Sequence, residues 1–432
     1  MLFIDSAVKP FEREGKMMTL RQIIGFILIL FSSVPVLAQI DVGLYAEPVG
    51  EHYRIRWGER EPPEDDLVKP YPPPIWANGY AACFKKGSQI TLRLIRRQGA
   101  PEVKGWKVLY AELRSKVTGD VYWVHKESRM LGPNEGYFLG SLPDFIEWAE
   151  LRGSVIVEVG PPQPPEPEPG GSESSLLVQP IDRVTEIFVV LDKPKSPMDP
   201  AWVNVLRISC SWARGESTND GAAEKLTIEL HKNWNYNDGN LAYTRYLSDP
   251  DTGETFYLKE FLRDPNRLGQ CNDFADFLVC LMTSVGIPRA AQRTHPIYPV
   301  RRITTLPNGH LGRLEVFTTH PLDIAKTGSS DYDGPQDWPY HQFCLDYANS
   351  KVWDGMIAFL PQGWRTGDPI ENQTFVLGMP RDSEYRDRLM LLYHFFDFVD
   401  KRMIVINDPA FFWRPTPFPS GFIPVVTAAE LP

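Results

Sequence analysis

Residues Gly269–Ala290, GQCNDFADFLVCLMTSVGIPRA, decide how the rest of the chain is read. Cys271, Phe274, Leu278, Leu281 and Val285 recur at three- and four-residue steps, the spacing of one helix face. Asn272, Asp273 and Asp276 fall off that face near its start, where acidic groups complement the helix dipole. Gly286 stops the helix, and Pro288 follows two residues later. The spacing therefore predicts a helix that opens at Cys271, directly after Gly269 and Gln270. A cysteine in the first turn of a helix meets unpaired backbone N–H groups and the positive end of the dipole, which favour thiolate over thiol. The same N–H groups can bind the oxyanion of a tetrahedral intermediate. Gly269 is expected to let a substrate backbone approach closely. Asp273 and Asp276 oppose a thiolate by charge, so a histidine partner is required. Cys280, nine residues on, falls on the opposite face and is expected to be a packing residue.

The partner lies downstream, in PYHQFCLDYANSKVWDGMIAF, residues 339–359. One strand carries His341, a turn follows at Asn349–Ser350, and a second strand carries Asp354. Adjacent antiparallel strands bring such side chains together, although a one-residue slip exchanges the faces. Asp346, on the same strand as His341, is the other candidate acid. A histidine takes the thiol proton and later protonates the leaving group, while the acid fixes its tautomer and orientation.

The pattern GQCNDFADFL…GIPRA followed by HQF…VWDG resembles the transglutaminase-like superfamily, the papain-like cysteine fold of transglutaminases and bacterial thiol peptidases. The resemblance covers roughly residues 202–359. It implies Cys271 as nucleophile, His341 as general base and Asp354 as orienting acid, with no cofactor. Members often use an upstream Trp to help the oxyanion, which points to Trp234 in HKNWNY. Gln270, beside the nucleophile, is the alternative donor. Phe343 and Leu345 stand where members often carry Trp and an acid, a departure that bears on substrate choice rather than on the three reactive groups.

The chain has 432 residues, 43% of them hydrophobic, enough for more than one core. Its net charge of −10 and the lack of a basic stripe exclude a broad nucleic-acid surface. Lys16 and Arg21 precede the apolar run Ile23–Leu37, which is too short to span a bilayer and ends in Val36-Leu37-Ala38. This predicts an export signal over 1–38 cleaved after Ala38, with Met17 or Met18 as the start, and no membrane span thereafter. Such a protein is periplasmic, cell-envelope-associated or secreted. Period-two runs in SQITLRLI, GWKVLYAEL, VYWVH and SVIVEVG predict an antiparallel sandwich-like domain over 39–159. The stretch GPPQPPEPEPGGSESS, 160–175, is expected to be an extended linker.

Beyond the linker, a strand in PIDRVTEIFVVLDKP and a helix in DGAAEKLTIELHKN precede the Cys271 helix. Strands follow in GRLEVFTTHPLDI, HQFCLDY and KVWDGMIAF. The pattern predicts an α+β domain over 176–432, and the resemblance makes it transglutaminase-like. The insert between Ala290 and His341 is expected to be loop-rich, a lid or cleft wall, with His295, His310 and His320 as exposed or capping residues. SDPDTGE and DYDGPQD lack the spacing of a calcium loop and read as turns. The eight histidines are scattered and the cysteines lack zinc spacing, so no metal site is expected. The aromatic tail DPAFFWRPTPFPSGFIPVV is expected to strap across the domain. The expected protein is an exported, multidomain cysteine enzyme acting on peptide or glutamine amides through an acyl-thioester, hydrolysis favoured over cross-linking. The alternative is an inactive scaffold or binding protein of the cell envelope.

Overall fold

The computed structural model describes residues 44–49, 52–53, 55–56, 80–96, 100–160, 175–181, 184–236, 255–287, 293–297, 303–325, 335–338, 341–346, 348–365, 368–406 and 425–426. The expected leader, SDPDTGE, the first four residues of DYDGPQD and most of the tail lie outside them. Of the tail, Val425–Val426 pair in parallel with Thr255–Phe256.

Strand dominates. The first part contains β1 (Leu44–Val49), β2 (Tyr80–Lys85), β3 (Gln89–Arg96), β4 (Val103–Ser115), β5 (Val121–Lys126), β6 (Tyr137–Ser141), β7 (Glu147–Val159), β8 (Ser175–Pro180) and β9 (Val184–Val190). One sheet has the order β1-β3-β6. The other runs from His52–Tyr53 through β2, β9, β7, β4 and β5, with β8 on β7. Phe84, Ile90, Leu92, Trp106, Val108 and Val157 belong to the core these two sheets share. The register of β4 against β7 shifts twice, between Val103 and Gly105 and between Val108 and Tyr110. After the second shift Tyr110 is exposed while Ala111 and Leu113 turn inward.

The expected spacer at 160–175 joins two neighbours of one sheet. β7 and β8 pair from Val159↔Ser175 to Ser154↔Pro180. β9 then lies parallel to β2 and antiparallel to β7. The sheet thus draws strands from both sides of the proline-rich stretch, because strand edges need backbone partners wherever the chain supplies them. β9 is buried on both faces. Ile187 and Val189 enter the sandwich core, while Phe188 and Val190 enter a second core. That double burial explains the nearly continuous apolar run IFVV.

The second core holds the helices α1 (Val203–Trp212), α2 (Asn219–Asn233), α3 (Leu258–Arg263) and α4 (Cys271–Ser284). It also holds β10 (Arg293–Ile297), β11 (Leu311–Thr319), β12 (Leu322–Ile324), β13 (His341–Asp346), β14 (Lys351–Phe359), β15 (Thr374–Pro380), β16 (Met390–Asp397) and β17 (Arg402–Ile406). One sheet runs β10-β13-β14-β12 with β15 on β14. Another runs from Ile303–Thr305 through β11, β16 and β17, with Asp337–Trp338 on β11. Where it is described, the insert before His341 is therefore built of strands rather than loops.

The sequence predicts one buried face for α4, but the helix is buried along its whole length. Asn272, Asp273 and Asp276, expected off the buried face, are inside with the rest. The reason is that α1, α2, β10, β13 and β14 all pack against α4. Its end is fixed by Gly286, whose φ of +76° and lack of a side chain are both needed. A Cβ there would stand 1.9 Å from the carbonyl oxygen of Asp192. The segment after β9 closes the helix, Lys195 N–H donating to the Thr283 carbonyl at 2.9 Å. Among the described residues, no helix is long and apolar enough to cross a membrane.

Candidate active site

β13 and β14 form a hairpin in which Asp346 pairs with Lys351, Leu345 with Val352 and Cys344 with Trp353. Continuing that register sets Asp354 across from Phe343, two residues from His341. His341 and Asp354 then share a face and meet diagonally. Their Nε2 and Oδ2 atoms are 2.6 Å apart, and both side chains are buried. Asp346 is an odd number of residues from His341, which turns it to the other face. Its Oδ2 accepts from Asn349 Nδ2 at 2.8 Å in the turn. The structure thus brings Asp354, not Asp346, to His341.

Asp354 is held on three sides. Besides His341, the Tyr385 hydroxyl donates to its Oδ2 at 2.8 Å. The Met356 N–H donates to its Oδ1 at 2.9 Å. Gly355 lets α2 pack down beside it, since a Cβ there would lie 2.7 Å from Leu230 Cδ2. Among the described residues, the other ring nitrogen of His341, Nδ1, has no partner in full hydrogen-bond geometry. Cys271 is beside the imidazole, close enough to act on it by charge and by a loose hydrogen bond. Burial pulls the His341 pKa down, but the charge and hydrogen bond of Asp354, with Cys271 behind them, outweigh it. The imidazole is raised to about 9.

Cys271 stands apart from the other four thiols. It is 7% exposed, while Cys83, Cys210, Cys280 and Cys344 are each at 0%. Burial pushes those four upward, with Asp276 adding to the effect at Cys280. All five are free of disulfides. Cys280 is buried in the core as a packing residue, as expected, because the helix is covered on every side.

Before the helix, Asn235–Tyr236 pairs in parallel with Leu268–Gly269 and pins the approach to Cys271. Gln270 is the half-buried cap, and its N–H donates to Asp273 Oδ2 at 2.8 Å. The structure gives Gly269 a local packing reason. A Cβ there would press on Phe261 at 3.0 Å and on Asp273 at 3.2 Å. Asp273 is fully buried, and desolvation raises its carboxyl to about 7 against the pull of the Gln270 N–H.

The two oxyanion candidates separate. Gln270 immediately precedes the thiol. Trp234 lies in an aromatic cluster, stacked on Phe261 at 5.2 Å and against Phe277 at 5.1 Å, with Arg267 at 5.4 Å from its ring. It meets α4 at Phe277, six residues along from Cys271, and among the described residues its buried Nε1 has no hydrogen-bond partner.

Two residues at the site were not among the sequence candidates. Trp338, in the short strand paired to β11, stacks on His341 at 4.9 Å and 21°. Tyr385 lies beyond the stretch that carries the resemblance, and no local motif marks it. Phe343 is not a spare position either, since it packs against Tyr385 at 5.1 Å.

Elsewhere, His295 lies on β10 paired with Phe343, and His320 is half-buried. Among the described residues, His310, Asp397 and Asp400 bring ligating atoms within 4.8 Å of one another. Each is already engaged. Asp397 Oδ2 receives His310 Nδ1 and Asn308 Nδ2, both at 2.9 Å. Its Oδ1 accepts the N–H groups of Val399 and Asp400, and Asp400 pairs with Arg402. This group closes the β16–β17 turn, in a different sheet from His341.

No protein-family model, no curated protein and no solved structure matches the chain.

Proposed function

We propose that the chain is a thiol-dependent acyl-transfer enzyme of transglutaminase-like, papain-like type. The observation that carries this reading is the His341–Asp354 pair, 2.6 Å apart, set beside the one partly accessible thiol at the head of α4. Cys271 Sγ, its proton taken by His341, attacks an amide carbonyl carbon. The carbonyl oxygen becomes an oxyanion within reach of the N–H groups that open α4, with Gln270 the adjacent side-chain donor. Collapse breaks the C–N bond, and the imidazolium gives its proton to the departing amine. An acyl-thioester remains. Water, deprotonated by His341, then releases the carboxylic acid and the free thiol. An amine in place of water would leave a new amide instead. Hydrolysis of a peptide or glutamine amide is the favoured outcome, by the resemblance to thiol peptidases. The export signal would put this chemistry in the cell envelope or outside the cell. A mature chain beginning at Gln39, read by mass in an exporting host, is the matching result.

Iodoacetamide at neutral pH tests the reading. Cys271 is expected to be carboxamidomethylated well before the other four cysteines, and loss of that preference in Cys271→Ser is expected to leave only slow background. Uniformly slow labelling of all five thiols would favour the second reading, an inactive scaffold. The observation behind that alternative is the closed site, in which His341 is fully buried and Trp338 covers its ring.

A further inference from the structure

Tyr385 is the largest unassigned polar presence at the site. Its ring is at 0% exposure, held edge-on between Phe343 at 5.1 Å and Phe359 at 6.1 Å. Nothing in that apolar slot calls for a hydroxyl, and phenylalanine would fill it equally well. The hydroxyl donates to Asp354 Oδ2, the same oxygen that holds His341 Nε2. The backbone is shaped to deliver it. Arg381–Tyr385 forms a π-helical turn that runs into the short helix α5 (Arg386–Leu389), and such widened turns are frequent at functional positions. The turn is anchored at its head, where Arg381 N–H donates to the Ser350 carbonyl in the β13–β14 turn at 2.9 Å. The turn is thus tied to the hairpin that carries His341 and Asp354.

We propose that Tyr385 is a fourth member of the site, a positioning residue that acts on His341 through Asp354. By taking part of the charge on Oδ2, the hydroxyl limits how strongly Asp354 holds the imidazolium proton. It also fixes the carboxylate so that Oδ2 points at Nε2. An imidazolium held too tightly is a poor acid toward a departing amine, so the hydroxyl keeps His341 nearer the useful range. The charged or titratable groups acting on the imidazole are Asp354 from β14 and Cys271 from α4. Asp276 and Asp346 act with Asp354 on Cys344, on the other face of β13. The inference rests on the reading of Cys271 and His341 as the working pair.

The test is the rate of Cys271 alkylation by iodoacetamide across the pH range, in the full chain. In the wild-type protein the profile is expected to show an upper inflection set by His341. Tyr385→Phe deletes one oxygen and is expected to move that inflection upward by about half a unit to one unit, because Asp354 then holds the proton more strongly. In an Asp354→Asn background the same substitution is expected to move nothing. Tyr393→Phe, which removes a buried hydroxyl that donates to Met390 Sδ rather than to Asp354, is the packing control and is expected to match the wild type. Should Tyr385→Phe fail to fold, 3-fluorotyrosine at position 385, a stronger donor, is expected to move the inflection downward. An inflection that stays in place or moves the opposite way overturns the role of Tyr385 alone. A wild-type protein without preferential labelling of Cys271 overturns the working pair, and this inference with it.

Discussion

Asp273 shows how a buried side chain ties stability to pH at this site. One oxygen accepts the Gln270 N–H, and the other has no partner among the described residues. Desolvation by burial raises the carboxyl to about 7. An acid whose folded pKa is raised binds a proton in the folded state over a range where the unfolded chain has lost it. Its effect on stability is therefore unfavourable as pH climbs from about 4 to 7, and complete above that. Asp273→Asn keeps the shape of the neutral acid and removes the titration. The variant is expected to match the wild type near pH 4 and to exceed it at pH 8 by an amount on the order of a few kcal/mol. Urea unfolding at the two pH values measures this, and an equal difference at both would contradict it. Asp354→Asn works in the other direction, on chemistry. It keeps a side chain of the same shape but takes away the charge that raises His341. Under the proposed reaction, amide turnover is expected to fall by roughly 10⁴-fold with folding retained, as loss of the orienting acid does in Ser-His-Asp triads.

At the scale of elements, α4 is held at both ends, and its C-terminal end is the easier to test. Gly286→Ala would set a methyl 1.9 Å from the Asp192 carbonyl and demand a φ of +76° from an alanine. The expected cost is about 2 kcal/mol or more, seen as a lower urea midpoint with an unchanged slope, and a variant as stable as the wild type would refute the account. The same helix shows what the sequence could and could not tell. Its start at Cys271 and its stop at Gly286 were legible, because capping and left-handed backbone are local properties. Its full burial was not, since Asn272, Asp273 and Asp276 read as a polar face until β10, β13 and the helices closed over them. The pairing of His341 with Asp354 was legible as two strands and a turn. The choice over Asp346 waited on register, because a single-residue slip exchanges the faces. Tyr385 and Trp338 were illegible for a different reason. Each reaches the site through a short turn or a two-residue strand, and neither leaves a period in the sequence.

The whole molecule is joined more tightly than its proline-rich stretch implies. β9 belongs to the first sheet yet gives alternate residues to the core that surrounds α4. Ionic contacts cross at the same place. Glu147 of β7 is fully buried and accepts from Ser115 Oγ at 3.0 Å, from the Trp148 N–H at 2.9 Å and from Arg214 Nε at 2.8 Å. Arg207 of α1 reaches Glu186 of β9, Nη2 to Oε2 at 2.8 Å. A cut at the proline-rich stretch would strip β9 of its ladder to β2 and β7 and expose one apolar face of it. It would also part Arg214 from Glu147, while Arg207 and Glu186 stay together in the second fragment. Residues 176–432 produced alone are therefore expected to be insoluble or to lack fixed near-ultraviolet dichroism, whereas the chain from Gln39 onward folds. In that longer chain, Arg214→Ala leaves Glu147 buried without its cation and is expected to cost about 3–5 kcal/mol. Because the two cores share β9, the loss should lower one cooperative thermal transition for both parts. A soluble fragment 176–432 that still labels first at Cys271 would show that the β-rich part is separable, and that the site needs only its own sheet and helices.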